Sequence, residues 1–431
     1  MKMNVLFLTL YLLAGCQKRE PVIPIPINPC LTGICDTSKL EIVWQTPIGI
    51  DTAELGSVRP LFWNGKVLFS QTFHKPDALN CFNSKTGALI WSWADYFPNS
   101  ESGVSNSTGE GTLLQDNKIL LASLDWKNVY CISSQDGKTI WRTTMETGRG
   151  NPRISVYDKF IYHIHDLREN SKTTRSHLVR ADINIGKWDT IYTQPIIDNF
   201  EPFIEPPSTS WKNSKGEEVI FFQIRYWDFP GSKGRIDWLA YNTTTKKEEY
   251  RFNNIDRGQI GNTLPTRLYG DNIYFLCINS LFCINKNDGK ILWQKNFDKN
   301  SETFTSCSPF VAENVLLVKP DDRTLYALDP NTGNQIWVDI DNGSGAGEMV
   351  YHNGLVYYTC DGNGKIYAIE PATSKKIWAE PSPNNYKNKF NGNRVFSKAN
   401  IGFGGIAIDS TLGYLYTSDF YFAMCLKLPK K

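Results

Sequence analysis

Almost no charge is left over in this chain: Lys and Arg number 46 and Asp and Glu 44, a net +2 at pH 7. A nucleic-acid partner, which demands a strongly basic face, is therefore not expected. Alanine is scarce, at 17 of 431 residues, and histidine occurs five times. A chain so poor in the best helix former, with 13% aromatics, 32 Gly and 22 Pro, favours strands and turns over helices. Long apolar runs are missing too. The one run near membrane character lies at the extreme N-terminus, which excludes a polytopic bundle of membrane helices. There is no adjacent cysteine pair, no Cys-x-x-Cys-His haem site and no Gly-x-Ser-x-Gly nucleophile elbow. What remains is 41% hydrophobic and 21% charged, the composition of a folded chain.

The N-terminus reads as an address. Lys2 precedes a short apolar run from Val5 to Leu13, followed by Leu13-Ala14-Gly15-Cys16. This resembles a bacterial lipobox. The expectation is a lipoprotein signal peptide over 1–15, cleavage before Cys16, and acylation of Cys16 as a membrane anchor. Residues 16–39 read as a tether, because prolines at 21, 24, 26 and 29 favour extended polyproline II at ~3.1 Å per residue. Gln17-Lys18-Arg19-Glu20 resembles the short charged tags of surface-exported lipoproteins. The expected location is the outer membrane, lipid-anchored, with the periplasmic or surface side left open. In such an oxidising compartment Cys30 and Cys35 are a candidate disulfide.

From residue 40 to 428 the chain repeats. A small residue and a Trp stand ten apart in Cys81/Trp91, Cys131/Trp141, Cys283/Trp293, Ala327/Trp337 and Ala368/Trp378. Gly87, Gly137, Gly289 and Gly333 lie between them, with Ser374 in the fifth copy. Weaker copies join Ala240 to Tyr250 and Arg180 to Thr190. Each unit reads as a strand, a tight Gly turn and a second strand into the Trp, with another hairpin upstream such as Pro60 to Phe69. Four-stranded antiparallel sheets of this kind bury both faces when packed radially, which is a β-propeller. Trp44, Trp91, Trp141, Thr190, Tyr250, Trp293, Trp337 and Trp378 number eight strands of the Trp type. Leu40 to Gln45 has no partner before it, and Ala423 to Lys427 none after it. An all-β, eight-bladed propeller closed by pairing of the N- and C-terminal strands follows, with seven blades the competitor.

The pattern resembles the pyrroloquinoline-quinone (PQQ)-type propeller repeat, with its Ala-x-Asp-x-x-Thr-Gly-x-x-x-Trp motif. The resemblance implies that Trp44, Trp91, Trp141, Trp293, Trp337 and Trp378 dock each blade on its neighbour. It also raises PQQ and Ca²⁺ as cofactors. The quinoprotein dehydrogenases that carry them have an adjacent cysteine pair, which this chain lacks, so no cofactor and no catalytic residue are assigned. Cys81, Cys131, Cys283 and Cys425 occupy the small-residue position and read as buried packing groups. Cys277, Cys307 and Cys360 stay unassigned. His163 and His165 share one strand face, but no third ligand is evident and no metal is assigned. Asp361-Gly-Asn363-Gly reads as a hairpin turn.

Strand order puts the turns between strands 1 and 2, and between strands 3 and 4, on one face. The remaining connections lie on the other. The first set is tight. The second holds the length: Ala94 to Gly111 and Gln194 to Ser210 between blades, Asp166 to His177 and Tyr226 to Asp237 within them. Phe97, Phe203, Arg225, Tyr226, Trp227, Phe229 and Arg235 are the candidate binding residues there, an aromatic and arginine set typical of protein hot spots and of sugar-stacking surfaces. Lipobox, linker and eight blades without PQQ resemble the propeller lipoproteins of the outer-membrane β-barrel assembly machinery. The leading expectation is a non-enzymatic scaffold that binds envelope or outer-membrane proteins. A carbohydrate- or peptide-binding surface lipoprotein is the second reading, and a PQQ-dependent dehydrogenase the third.

Overall fold

The computed structural model describes residues 38–47, 60–70, 79–93, 112–122, 128–144, 149–150, 154–170, 172–198, 200–228, 234–257, 266–277, 280–297, 307–320, 323–340, 342–343, 347–360, 364–383, 405–419 and 422–429. Cys16, Cys30, Cys35, Phe97, Phe229 and the turn at 361–363 lie outside these residues.

The ten-residue offset is a cross-strand pair. Cys81 faces Trp91, Cys131 faces Trp141, Cys283 faces Trp293, Ala327 faces Trp337, Ala368 faces Trp378 and Ala240 faces Tyr250. In each case the register shifts at or next to this pair. The residue before the aromatic (Ile90, Ile140, Leu292, Ile336, Ile377) is bulged out of the ladder, except in the Tyr250 copy, where it is Glu249. A bulge re-aims the side chain that follows, which turns the ring toward the next sheet.

Eight antiparallel sheets result, with no helix among the described residues. Blades 1 to 7 span residues 61–93, 112–144, 149–195, 201–257, 267–296, 310–339 and 350–381. Blade 8 combines Ala407–Asp409, Tyr414–Ser418 and Phe422–Lys427 with the N-terminal strand Ile42–Pro47 on its outer edge. Trp44 stands opposite Cys425, the same pair made by the two ends of the chain. Six of the eight turns between strands 1 and 2 are two-residue loops with positive φ at one or both positions, as at Asn64 (φ 43) and Gly65 (φ 71); blades 4 and 8 use the longer loops 213–217 and 410–413.

The core is a ring of joints. Eight apolar clusters fall one between each neighbouring pair of blades. Leu68, Cys81, Trp91, Ile119 and Leu121 join blades 1 and 2. Trp44, Val67, Phe69, Phe82 and Tyr416 join blade 8 to blade 1. Middle strands read as near-continuous apolar runs because each faces a joint on both sides, as in Leu355–Cys360. Outer strands alternate because one end of each side-chain row reaches water.

The tryptophans lock these joints. A Cβ on Gly87 would sit 2.7 Å from the Trp44 ring, on Gly137 2.7 Å from Trp91, on Gly186 2.7 Å from Trp141, and on Gly333 2.6 Å from Trp293. The indole N–H then donates to the same turn: Trp44 to Ser84 O (2.8 Å), Trp141 to Ile183 O (2.9 Å), Trp293 to Pro330 O (3.1 Å) and Trp337 to Pro371 O (2.9 Å). Tyr250 does this with its hydroxyl, to Lys286 O at 3.1 Å. Trp378 packs with the cluster between blades 7 and 8.

Blade 3 departs from the expected register. Arg180 pairs with Asp189, and Thr190 pairs with Val179 instead, because the register shift lies further up the strand, between Leu178 and Val179. Tyr192, beyond that shift, makes the interblade contact, edge-on to Phe222 and Tyr241 of blade 4. Seven described cysteines, Cys81, Cys131, Cys277, Cys283, Cys307, Cys360 and Cys425, are buried free thiols. Burial pushes Cys81, Cys131, Cys283, Cys307 and Cys425 up to about 12, so they pack as inert groups.

Candidate functional site

Blades 3 and 4 stand taller than the others. Their middle strands are Phe160–Glu169, Lys172–Asp182, Glu218–Trp227 and Gly234–Asn242, against five or six residues in Lys66–Ser70 or Leu355–Cys360. Asp166 to His177 was expected to be a loop and is a hairpin paired out to Glu169 and Lys172. Tyr226 to Asp237 likewise pairs out to Trp227 opposite Gly234. Within Gln194 to Ser210, Glu201–Ile204 forms an inner strand against Ile224 to Trp227. All of this added height is on the face opposite the tight turns. The hydrophobic signal fades there because the extensions rise beyond the joints that bury both faces of the lower blade. The stretch Ala94 to Gly111 lies outside the described residues.

In and between the two tall blades the structure places polar groups of which the sequence reading singled out Arg225 alone. Ser176 Oγ donates to Asp166 Oδ1 at 2.6 Å and accepts the Ile204 amide at 3.1 Å. Glu201 Oε2 accepts the Thr173 amide at 2.8 Å. Arg225 is bound to Glu205, whose side chain is almost wholly buried. Burial pushes the Asp166 carboxyl up to about 7; the Ser176 hydrogen bond opposes this and nearby Glu205 reinforces it. Further out, Arg251 reaches Asp237 Oδ2 at 3.1 Å, Tyr192 Oη at 2.7 Å and Glu248 Oε1 at 2.5 Å. Three of these contacts cross the joint, Ser176 with the Ile204 amide, Glu201 with the Thr173 amide and Arg251 with Tyr192; Asp166–Ser176 lies within blade 3, and Arg225–Glu205, Arg251–Asp237 and Arg251–Glu248 lie within blade 4. No local motif could have announced those that cross the joint, since their partners stand 28 to 59 residues apart.

The candidate binding residues divide. Trp227 is 38% exposed at the hairpin rim. Phe203 is half-buried on the inner strand, opposite Arg225. Tyr226 was expected as a surface anchor and is fully buried; it points into the joint with Tyr162, Ile164 and Ile224 while Arg235 covers its ring at 4.3 Å. Its neighbour Trp227 points the other way, as strand alternation requires. Arg225 and Arg235 are therefore committed to holding the blade together. Exposed on the neighbouring blade 3 are Arg168, Lys172, Arg175 and Ile196. Among the described residues no group of three or more His, Cys, Asp or Glu converges on one point.

Residues 266–409 match the family described as outer membrane protein assembly factor BamB. The repeat is of the PQQ-like propeller family. This repeat shares 31% identity over 85 residues with a quinoprotein ethanol dehydrogenase of Pseudomonas aeruginosa, a match covering 16% of this chain and 14% of that one. It shares 28% over 161 residues with a tetrathionate hydrolase of Acidithiobacillus ferrooxidans, 32% of each chain. The chain thus spans less than a third of the length of either curated relative. Among solved structures, Sqt1 of Saccharomyces cerevisiae covers 91% of this chain and 100% of its own at a TM-score of 0.60 and 10% identity, a likeness of fold alone.

Proposed function

We propose that this chain is a non-enzymatic scaffold that binds proteins of the bacterial outer membrane envelope through the tall edge of blades 3 and 4. The observation that carries this reading is the concentration of extra height on two adjacent blades. The joint beneath it is stiffened by the Ser176–Ile204, Glu201–Thr173 and Arg251–Tyr192 hydrogen bonds. Rigid projecting elements with an exposed Trp and arginines are what protein recognition uses. The match of residues 266–409 to an assembly-factor family supports a partner in outer-membrane protein assembly. Acylation at Cys16 with a tether over 16–39 completes the reading. The N-terminal strand enters blade 8 from the tight-turn side, so a lipid there would leave the tall edge facing away from the membrane.

The test is cross-linking in cells with the bound proteins identified by mass spectrometry. Wild type is compared with a Trp227→Ala, Arg168→Glu, Arg175→Glu variant, which alters exposed positions only and spares the buried Tyr226 and Asp237. Recovery of defined outer-membrane assembly proteins by wild type, lost in the variant, is expected. Equal recovery by both removes the tall edge from the reading. A second reading, a glycan- or peptide-binding surface lipoprotein, rests on the exposed Trp227. Glycan binding that disappears in Trp227→Ala with no protein partner recovered would favour it.

A further inference from the structure

Three of the chain's five histidines lie on one face of blade 3. Sequence spacing pairs His163 with His165. The fold pairs His165 with His177 instead: the two are directly opposed on neighbouring strands, with ring centres 6.1 Å apart. His163 sits one step deeper, fully buried against Trp188 at 6.0 Å. His165 and His177 are half-buried on the extended part of the blade, on the side facing the shorter blade 2. We propose that His165 and His177 together bind one divalent cation of the borderline class, such as Zn²⁺ or Cu²⁺, with water completing its coordination.

The geometry carries this. Two metal–nitrogen bonds of ~2.1 Å, with each ring standing behind its nitrogen, span about the separation seen between the ring centres. The cation would bridge the strands without a change in register. The third strand supplies an orienting partner: Thr193 stands opposite His177, and its Oγ1 lies 2.8 Å from His177 Nδ1. With Thr193 accepting, the proton sits on Nδ1 and the lone pair on Nε2, the form that ligates. Two protein ligands stand together among the described residues, which makes the site an exchangeable one. The nitrogen donors select against Ca²⁺ and Mg²⁺, which take oxygen.

The full-length chain in detergent would be titrated with Zn²⁺ by calorimetry and with Cu²⁺ by electron paramagnetic resonance. The expected result is one ion per chain and a copper signal split by two imidazole nitrogens. His177→Gln and His165→Gln should each weaken binding at least tenfold, and His352→Gln, on blade 7, should leave it unchanged. Thr193→Val, which keeps both ligands and alters an exposed position, should weaken binding about tenfold. It serves as the readout if either histidine variant fails to fold. No saturable one-to-one binding by wild type overturns the proposal. So does wild-type affinity in the variants, which would mean an adventitious ion only.

Discussion

Asp166 is a carboxyl whose protonation the fold has shifted, and replacing it with Asn isolates the consequence. In the unfolded chain it titrates near its ordinary 3.8, and in the folded protein at about 7. Between these values the folded state holds a proton that the unfolded state has released. Its contribution is fully present below pH 4 and is lost as pH rises through 7. At about 1.4 kcal/mol per pH unit, the full separation corresponds to about 4 kcal/mol above pH 8. Relaxation around a buried site brings the expected effect nearer ~2 kcal/mol. Asp166→Asn keeps an oxygen to accept the Ser176 hydroxyl and carries no charge. It should unfold at higher denaturant than wild type at pH 8.5 and at similar denaturant at pH 4.5. His165 and His177 act with the opposite sign. Their lowered values remove stability as pH falls below 6.5, equally in both proteins, so the difference between variant and wild type reports Asp166 alone. Urea unfolding at four pH values, followed by tryptophan fluorescence, measures that difference. A gap that does not change with pH, or a variant less stable at pH 8.5, would refute the assignment.

Gly333→Ala and Gly413→Ala share a left-handed backbone, at φ +71 and +67, and should both pay about 1 kcal/mol for it. Only at Gly333 does the new methyl meet a ring, Trp293 at 2.6 Å, so its loss should exceed that of Gly413→Ala by 1–3 kcal/mol in the same urea assay. Arg251→Ala leaves Asp237, 2% exposed, without its arginine and should cost about 3–5 kcal/mol. Adding Asp237→Asn should recover part of that loss, and a double variant no better than the single one would mean the pair is not coupled.

The repeat was legible because one pair with one bulge recurs in seven of eight places, counting Trp44 with Cys425. Cys81 and Trp91 carry that geometry into the sequence as a fixed offset. Blade 3 blurred it because its register shift moved up the strand, so that the turn still points to Thr190 while the packing is done by Tyr192. The hairpins of the tall edge read as loops because Arg168, Glu169 and Lys172 carry no core pattern. Pairing along a strand continues past the point where burial stops. Tyr226 and Trp227 show the limit most directly. They are adjacent aromatics with the same composition signal, and the pleat sends one into the joint and the other to the rim. The polar contacts near Asp166 were invisible for another reason, since Ser176 with Ile204 and Glu201 with Thr173 meet only when neighbouring blades pack.

That closure also fixes the order of assembly. Ile42–Pro47 is the first strand of the propeller to be made, and its partner Phe422–Lys427 is the last. Throughout synthesis the leading strand has no ladder to join, and Trp44 has no completed blade 8 beside it. Blades 1 to 7 can form in turn, but the joint between blade 8 and blade 1 must wait for the whole chain. The final step is thus a contact between residues more than 370 positions apart, a high-entropy closure that slows folding. A chain truncated near its C-terminus would fail at both ends at once, leaving the edge of Tyr414–Ser418 and the whole of Ile42–Pro47 unpaired and open to pairing with other chains.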